Sequence, residues 1–126
     1  MKVLIIDDDP DIRLIVRVSL SRHGFTVAEA ASGADGLRAA RDDRPDVIVL
    51  DVMMPEMDGP ATLGALLADP AVAGVPVVFL TAKAMRSEIS RLRALGAAGV
   101  LLKPFDPLSL AAELEAVLRD RTNPGI

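Results

Sequence analysis

Residues 2–11 read KVLIIDDDPD: a lysine, four consecutive aliphatic residues, three acids, then proline and a further acid. The run at 3–6 has no polar alternation and is too short for a helical period, which suits a strand covered on both faces. Asp9-Pro10 sets an N-cap acid ahead of a first-turn proline, and Ile12, Ile15, Val16 and Leu20 then recur at helical spacing. The stretch is a strand that stops on carboxylates and hands over to a helix. Further along, the pattern returns. Residues 46–59, DVIVLDVMMPEMDG, hold an apolar run ending on Asp51, and residues 99–105, GVLLKPF, hold one ending on Lys103.

Five apolar runs, at 3–6, 25–30, 47–50, 77–80 and 99–102, alternate with five helical patterns. The run at 25–30 is mixed and belongs at a sheet edge. Ser32 with Asp35 forms a capping-box variant with a shorter acid. Asp58-Gly59-Pro60 opens a third helix carrying Leu63, Leu66 and Leu67, and Met85, Ile89, Leu92 and Leu95 line one face of a fourth. Asp106-Pro107 opens a fifth, with Leu110, Leu114, Val117 and Leu118 facing inward. Gly24 and Gly96 are candidate helix stops, and Gly59 a point of close backbone approach. Strict βα alternation predicts an α/β fold, a doubly wound five-stranded parallel sheet with right-handed crossovers. The order 2-1-3-4-5, flavodoxin-like (βα)5, is taken over from known sheets of this kind, whose working crevice lies at the carboxyl ends of the strands. Residues 1–121 are expected to form one domain, with 122–126 a short tail.

The 126 residues suffice for one hydrophobic core, and a hydrophobic content of 51% excludes a disordered chain. The net charge of −4, with basic residues scattered among acids, argues against a nucleic-acid surface. Cysteine is absent, which removes disulfide scaffolds and thiolate metal sites. The chain enters a strand at once and no apolar run is long enough to span a bilayer, so a soluble, cytoplasmic domain without membrane contact is expected.

In a 2-1-3-4-5 sheet the first and third strands are neighbours, so Asp7, Asp8 and Asp51 converge on one edge, joined there by Lys103. Like charges about 4 Å apart repel by roughly 4 kcal/mol at an effective dielectric of 20. Such a group calls for a cation, and a hard divalent ion with oxygen ligands, Mg²⁺, is the simplest.

The chain resembles the receiver domain of two-component response regulators over essentially its whole length. The resemblance rests on IIDDDPDIR at 5–13, VLDVMMPEMDG at 49–59, VVFLTA at 77–82 and LLKPF at 101–105, in that order and at the family's spacings. It implies that Asp51 accepts a phosphoryl group from a histidine kinase, a phosphotransfer protein or a small phosphodonor. It implies Mg²⁺ held by Asp8 and Asp51, by Asp7 directly or through a water, and by the backbone carbonyl of Met53. Lys103 and the Thr81 hydroxyl would meet the phosphoryl oxygens, and the Lys103–Pro104 peptide would be cis. The chain would be a regulatory domain, catalysing only its own phosphoryl transfer and autodephosphorylation. Its output would be protein contact through the fourth helix, fifth strand and fifth helix, without direct nucleic-acid contact, as a monomer or an activation-linked dimer.

Two departures from the family pattern matter. Many receivers carry Tyr or Phe three residues before the lysine, where this chain has Val100. A valine cannot make that ring's inward swing, so the signal is expected to pass mainly through Thr81 and residues 82–85. Met53 and Lys83 occupy positions that tune phosphoryl lifetime in the family, and a bulky apolar group beside a long cation is expected to slow dephosphorylation. Asp9 reads as a helix cap, Met53, Met54 and Met57 as loop packing around Pro55, and His23 as a helix-end group. The alternatives are a phosphorylation-independent scaffold, or a receiver cut from a hybrid kinase or larger regulator. A haloacid dehalogenase-type phosphatase requires D-x-D-x-[TV], whereas residues 7–11 end in Asp. A flavodoxin-like electron carrier requires a glycine- and hydroxyl-rich first loop, and here that loop is acidic.

Overall fold

The structure, a computed structural model, describes residues 1–83 and 85–122. Local capping marks where three of its helices begin. The Asp9 carboxylate accepts the Asp11 N–H and opens α1 (Pro10–Ser21). The Ser32 hydroxyl accepts the Asp35 N–H and opens α2 (Gly33–Asp42), and Asp58 accepts the Ala61 N–H and opens α3 (Gly59–Leu67). Only half of the expected capping box forms at Ser32, because the Asp35 carboxylate pairs with Arg38. α4 (Arg86–Ala94) and α5 (Leu110–Thr122) complete the set. Gly24 and Gly96, at φ 86° and 112°, follow α1 and α4 as the expected stops.

The strands β1 (Lys2–Ile6), β2 (Thr26–Ala30), β3 (Val47–Asp51), β4 (Val77–Thr81) and β5 (Gly99–Leu102) form one parallel sheet in the order β2-β1-β3-β4-β5. The mixed strand β2 lies at an edge, as its composition suggests. Register pairs Ile6 with Leu50, Asp51 with Leu80 and Thr81 with Leu102, so four strand tips end on one edge of the sheet, staggered by no more than two residues.

Side chains alternate between two buried layers, as a period of two requires. Leu4, Ile6, Ile48, Leu50, Val77 and Phe79 pack with Ala40 of α2, Leu63 and Leu66 of α3 and Leu92 of α4. Val3, Ile5, Val47, Val49, Val78 and Leu80 pack with Val16 and Leu20 of α1 and Leu110, Ala111 and Leu114 of α5. Both faces of the inner strands are therefore covered, which is why they read as unbroken aliphatic runs.

Three expectations are corrected. Phe25 is buried but precedes β2: its N–H bonds the Leu20 carbonyl and closes the end of α1. Met85 and Leu95 flank α4 as cap residues and are 68% and 42% exposed, so this short, charged helix is anchored by Leu92 with Ile89 half-buried. Asp106 closes a turn by accepting the N–H of Leu108 on its carboxylate and that of Ser109 on its carbonyl, and α5 starts only at Leu110. Of the tail expected at 122–126, Thr122 ends α5 and the rest lies outside the described residues, as does Ala84 within the 82–85 segment. No helix among the described residues is long and apolar enough to cross a membrane.

Candidate functional site

The sheet order makes β1 and β3 neighbours, and the chain turns in opposite directions on either side of them, leaving a crevice at their carboxyl ends. Asp51 is the last residue of β3 and Thr81 the last of β4; Asp7 follows β1 directly and Lys103 follows β5. These side chains line one hollow of about 320 Å³ together with Asp8 and Met53. One carboxylate oxygen from each of Asp7, Asp8 and Asp51 lies within 4.8 Å of the others. Lys103 Nζ stands 3.1 Å from Asp7 Oδ2 and 3.1 Å from Asp51 Oδ1. The Lys103–Pro104 peptide is cis, as expected, and the Lys103 N–H bonds the Thr81 carbonyl at 2.8 Å.

Burial decides the electrostatics. Asp7 is fully buried and Asp51 only 6% exposed. Desolvation raises the Asp51 carboxyl above the ordinary carboxylate range, and the charge of Asp7 adds to this. The Lys103 charge, its hydrogen bond and a hydrogen bond from the Met53 backbone oppose the rise without cancelling it. For Lys103, burial acts to depress the ammonium, but hydrogen bonding and charge from Asp7 and Asp51 prevail and hold it above the ordinary lysine value. Three carboxylates against one ammonium leave two net negative charges, in a donor set made wholly of hard oxygens. That set fits a divalent ion such as Mg²⁺.

All five charged or hydroxyl side chains expected at the site are brought together. Against the expectation of loop packing, the Met53 side chain sits on the rim, 71% exposed, while Met54 is buried. Thr81 is buried, and its Oγ1 accepts the Lys83 N–H at 3.1 Å, so its own proton is left to donate elsewhere. Gly59 passes so close to β3 that a Cβ there would lie 2.5 Å from the Asp51 carbonyl oxygen. His23 Nδ1 meets the Ser19 carbonyl at 3.1 Å, at the far end of α1 from the site. One contact was not anticipated: Arg13 Nη1 donates to the Asp7 carbonyl at 2.7 Å. The only sequence signal for it is an arginine one turn into the helix that follows the acids.

This is a doubly wound domain with an acid trio and a lysine at its switch point, the arrangement of a signalling receiver. Residues 3–115 match the family model for the response regulator receiver domain, and the chain belongs to that family. It is 41% identical over 123 residues to the probable transcriptional regulator ycf27 of Guillardia theta, covering 97% of this chain and 46% of that protein. It is 37% identical over 118 residues to the DNA-binding response regulator MtrA of Mycolicibacterium smegmatis, covering 94% of this chain and 50% of that protein. The chain thus spans about half the length of the curated relatives it matches. Among solved structures, the chemotaxis response regulator CheY4 of Vibrio cholerae superposes with a TM-score of 0.86 at 36% identity, covering 92% of this chain and 97% of that one. The general function of the family is a phosphorylation-controlled switch in two-component signalling, and its domains bind Mg²⁺.

Proposed function

We propose that this domain is a switch set by phosphorylation of Asp51. The observation that carries the reading is a single ammonium, Lys103 Nζ, bridging Asp7 and Asp51 beside carboxylates close enough to share a cation. An Asp51 oxygen attacks the phosphorus of a phosphohistidine or an acyl phosphate. The new P–O bond forms as the bond to the donor's nitrogen or oxygen breaks, and the donor leaves with that electron pair. The raised basicity of Asp51 makes its oxygen a stronger nucleophile, while Lys103 favours the ionised form that attacks. Lys103 then follows the phosphoryl oxygens, and the Thr81 hydroxyl turns its proton to one of them.

Asp8, Asp51 and the Met53 carbonyl would hold Mg²⁺, with Asp7 acting directly or through a water; its two carboxylate oxygens also accept the Asp9 N–H and Lys103. When bound, the ion neutralises charge on the acids and on the phosphoryl oxygens. Phosphorylation adds about −1.5 to −2 charges and shifts a two-state equilibrium of the surrounding loops. The partners in this reading are a histidine kinase or phosphotransfer protein upstream, and a protein docking on α4, β5 and α5 downstream, where Leu95 and Leu102 are exposed. The domain, residues 1–121, works in the cytoplasm as a regulatory unit, alone or as a dimer formed on activation.

A second reading follows from the relatives. The name of the MtrA protein includes DNA binding, and this chain matches half of that protein's length. Joined to a DNA-binding segment, the same switch would govern promoter contact; the size of the protein in its own cells decides between the two outputs. The central test is intact mass after treatment with acetyl phosphate and Mg²⁺. Wild type should gain one phosphoryl group and Asp51→Asn none; equal labelling of both would end the assignment.

A further inference from the structure

The Asp7 carbonyl stands where the chain leaves β1, and the group that bonds it comes from the following helix. Arg13 Nη1 donates to it at 2.7 Å. The same guanidinium meets Glu29 of β2, with Nε 3.3 Å from Oε1, while Arg17 Nε takes the other Glu29 oxygen at 3.0 Å. The Arg13 side chain is only 18% exposed, so the bridge from strand to loop is sheltered at its arginine, while Glu29 lies at the surface. The other polar atoms of Asp7 are engaged as well. Its N–H bonds the Ala30 carbonyl, Oδ1 accepts the Asp9 N–H and Oδ2 accepts Lys103. Arg13 completes the set. The direction of the Asp7 carbonyl fixes the plane of the Asp7–Asp8 peptide, and that plane sets where the Asp8 side chain leaves the backbone. Asp8 is the exposed member of the acid trio, so its placement depends on the backbone beneath it.

We propose that Arg13, pinned by Glu29, holds the β1–α1 loop in the shape that presents Asp8 to a divalent cation. Arg13 is thus a positioning residue; its link to the cation rests on the switch reading above, while its hold on the loop is independent of it. At Arg13 a positioning role and a simple field effect predict opposite signs, whereas at Glu29 both predict weaker binding. By field alone, removing the positive charge of Arg13 beside three acids strengthens cation binding, and removing the negative charge of Glu29 weakens it. A clamp predicts weakening in both cases.

The test titrates Mg²⁺ alone into wild type, Arg13→Gln and Glu29→Gln, following the backbone amides of residues 7–9 and 51–53 by NMR. Arg13→Gln should bind about tenfold more weakly, the size typical of losing a group that orients a metal ligand, and Glu29→Gln should shift the same way by less. In metal-free protein, hydrogen exchange and nitrogen relaxation of the Asp8 and Asp9 amides should report a looser loop in both variants. Arg41→Gln, which breaks the remote Arg41–Asp69 pair, serves as the control that leaves this loop unchanged. Mg²⁺ binding as tight as wild type in Arg13→Gln, or unaltered loop order, overturns the clamp. A wild type that ignores Mg²⁺ overturns instead the switch reading, and the loop-order measurement then decides the clamp by itself.

Discussion

Asp51 is held against its own charge. Its carboxyl stands above the ordinary value of 3.8, through burial first and Asp7 second, so the folded state binds more protons than the unfolded one between that value and its own. Over this window stability falls as pH rises, and above it the loss is complete. Metal-free Asp51→Asn should therefore melt at a higher temperature than wild type at neutral pH, the gap closing as the pH falls toward 3.8; equal melting at pH 7 would contradict this. Lys103 acts in the opposite sense. Held above 10.5, its contribution is full below that value and is lost as pH rises through its own. Lys103→Met leaves Asp7 and Asp51 facing each other and should cost about 3 kcal/mol in urea denaturation of the metal-free protein. A cost of about 0.5 kcal/mol, that of a surface pair, would mean the acids do not need the ammonium. These site residues were legible in the sequence because each of Asp7, Asp51 and Lys103 ends an aliphatic run where a strand must stop. Arg13 was not, because its partners are a main-chain carbonyl and a glutamate on another strand.

Among the elements, the start of α3 lies directly against the strand that carries Asp51. The Gly59 N–H bonds the Val52 carbonyl at 2.9 Å and closes the β3–α3 loop. A Cβ on Gly59 would lie 2.5 Å from Asp51 O, 2.8 Å from Val52 Cα and 2.9 Å from a Phe79 ring carbon, and the first two are backbone atoms that cannot swing away. Gly59→Ala should cost about 3 kcal/mol and slow the labelling of Asp51, since the loop carrying Met53 must shift. An alanine variant with wild-type stability and labelling rate would disprove that coupling. Element existence was legible because hydrophobic period is local, helped at α1 and α3 by capping acids and prolines, as at Asp9-Pro10 and Asp58. Element ends were less so. Phe25 and Asp106 look like a strand start and a helix cap from neighbours alone, but a carbonyl at the end of α1 claims one and a tight turn claims the other.

Over the whole molecule, the acid trio joins the tip of β1 to that of β3, and the ammonium that meets it comes from beyond β5. A cation bound there should therefore stabilise the complete fold. Mg²⁺ at ten times its Kd should add about 1.4 kcal/mol and raise the melting midpoint by about 4–7 °C, an effect lost in Asp8→Ala and reversed by a chelator. A midpoint indifferent to Mg²⁺ in wild type would remove the cation from the site. Val100 pairs in register with Phe79 and, half-buried, packs against the layer that holds α3 and α4. The sequence by itself determined the alternation of strands and helices, the two-sided burial of the sheet and the residues that end each strand, because hydrophobic period and capping are read over a few neighbouring residues. The tertiary structure alone decided that β1 lies beside β3, that one ammonium reaches two carboxylates, and that Arg13 ties the acidic loop to β2. Those contacts join residues far apart in the chain, and their distances are set by packing of the whole sheet rather than by any local pattern.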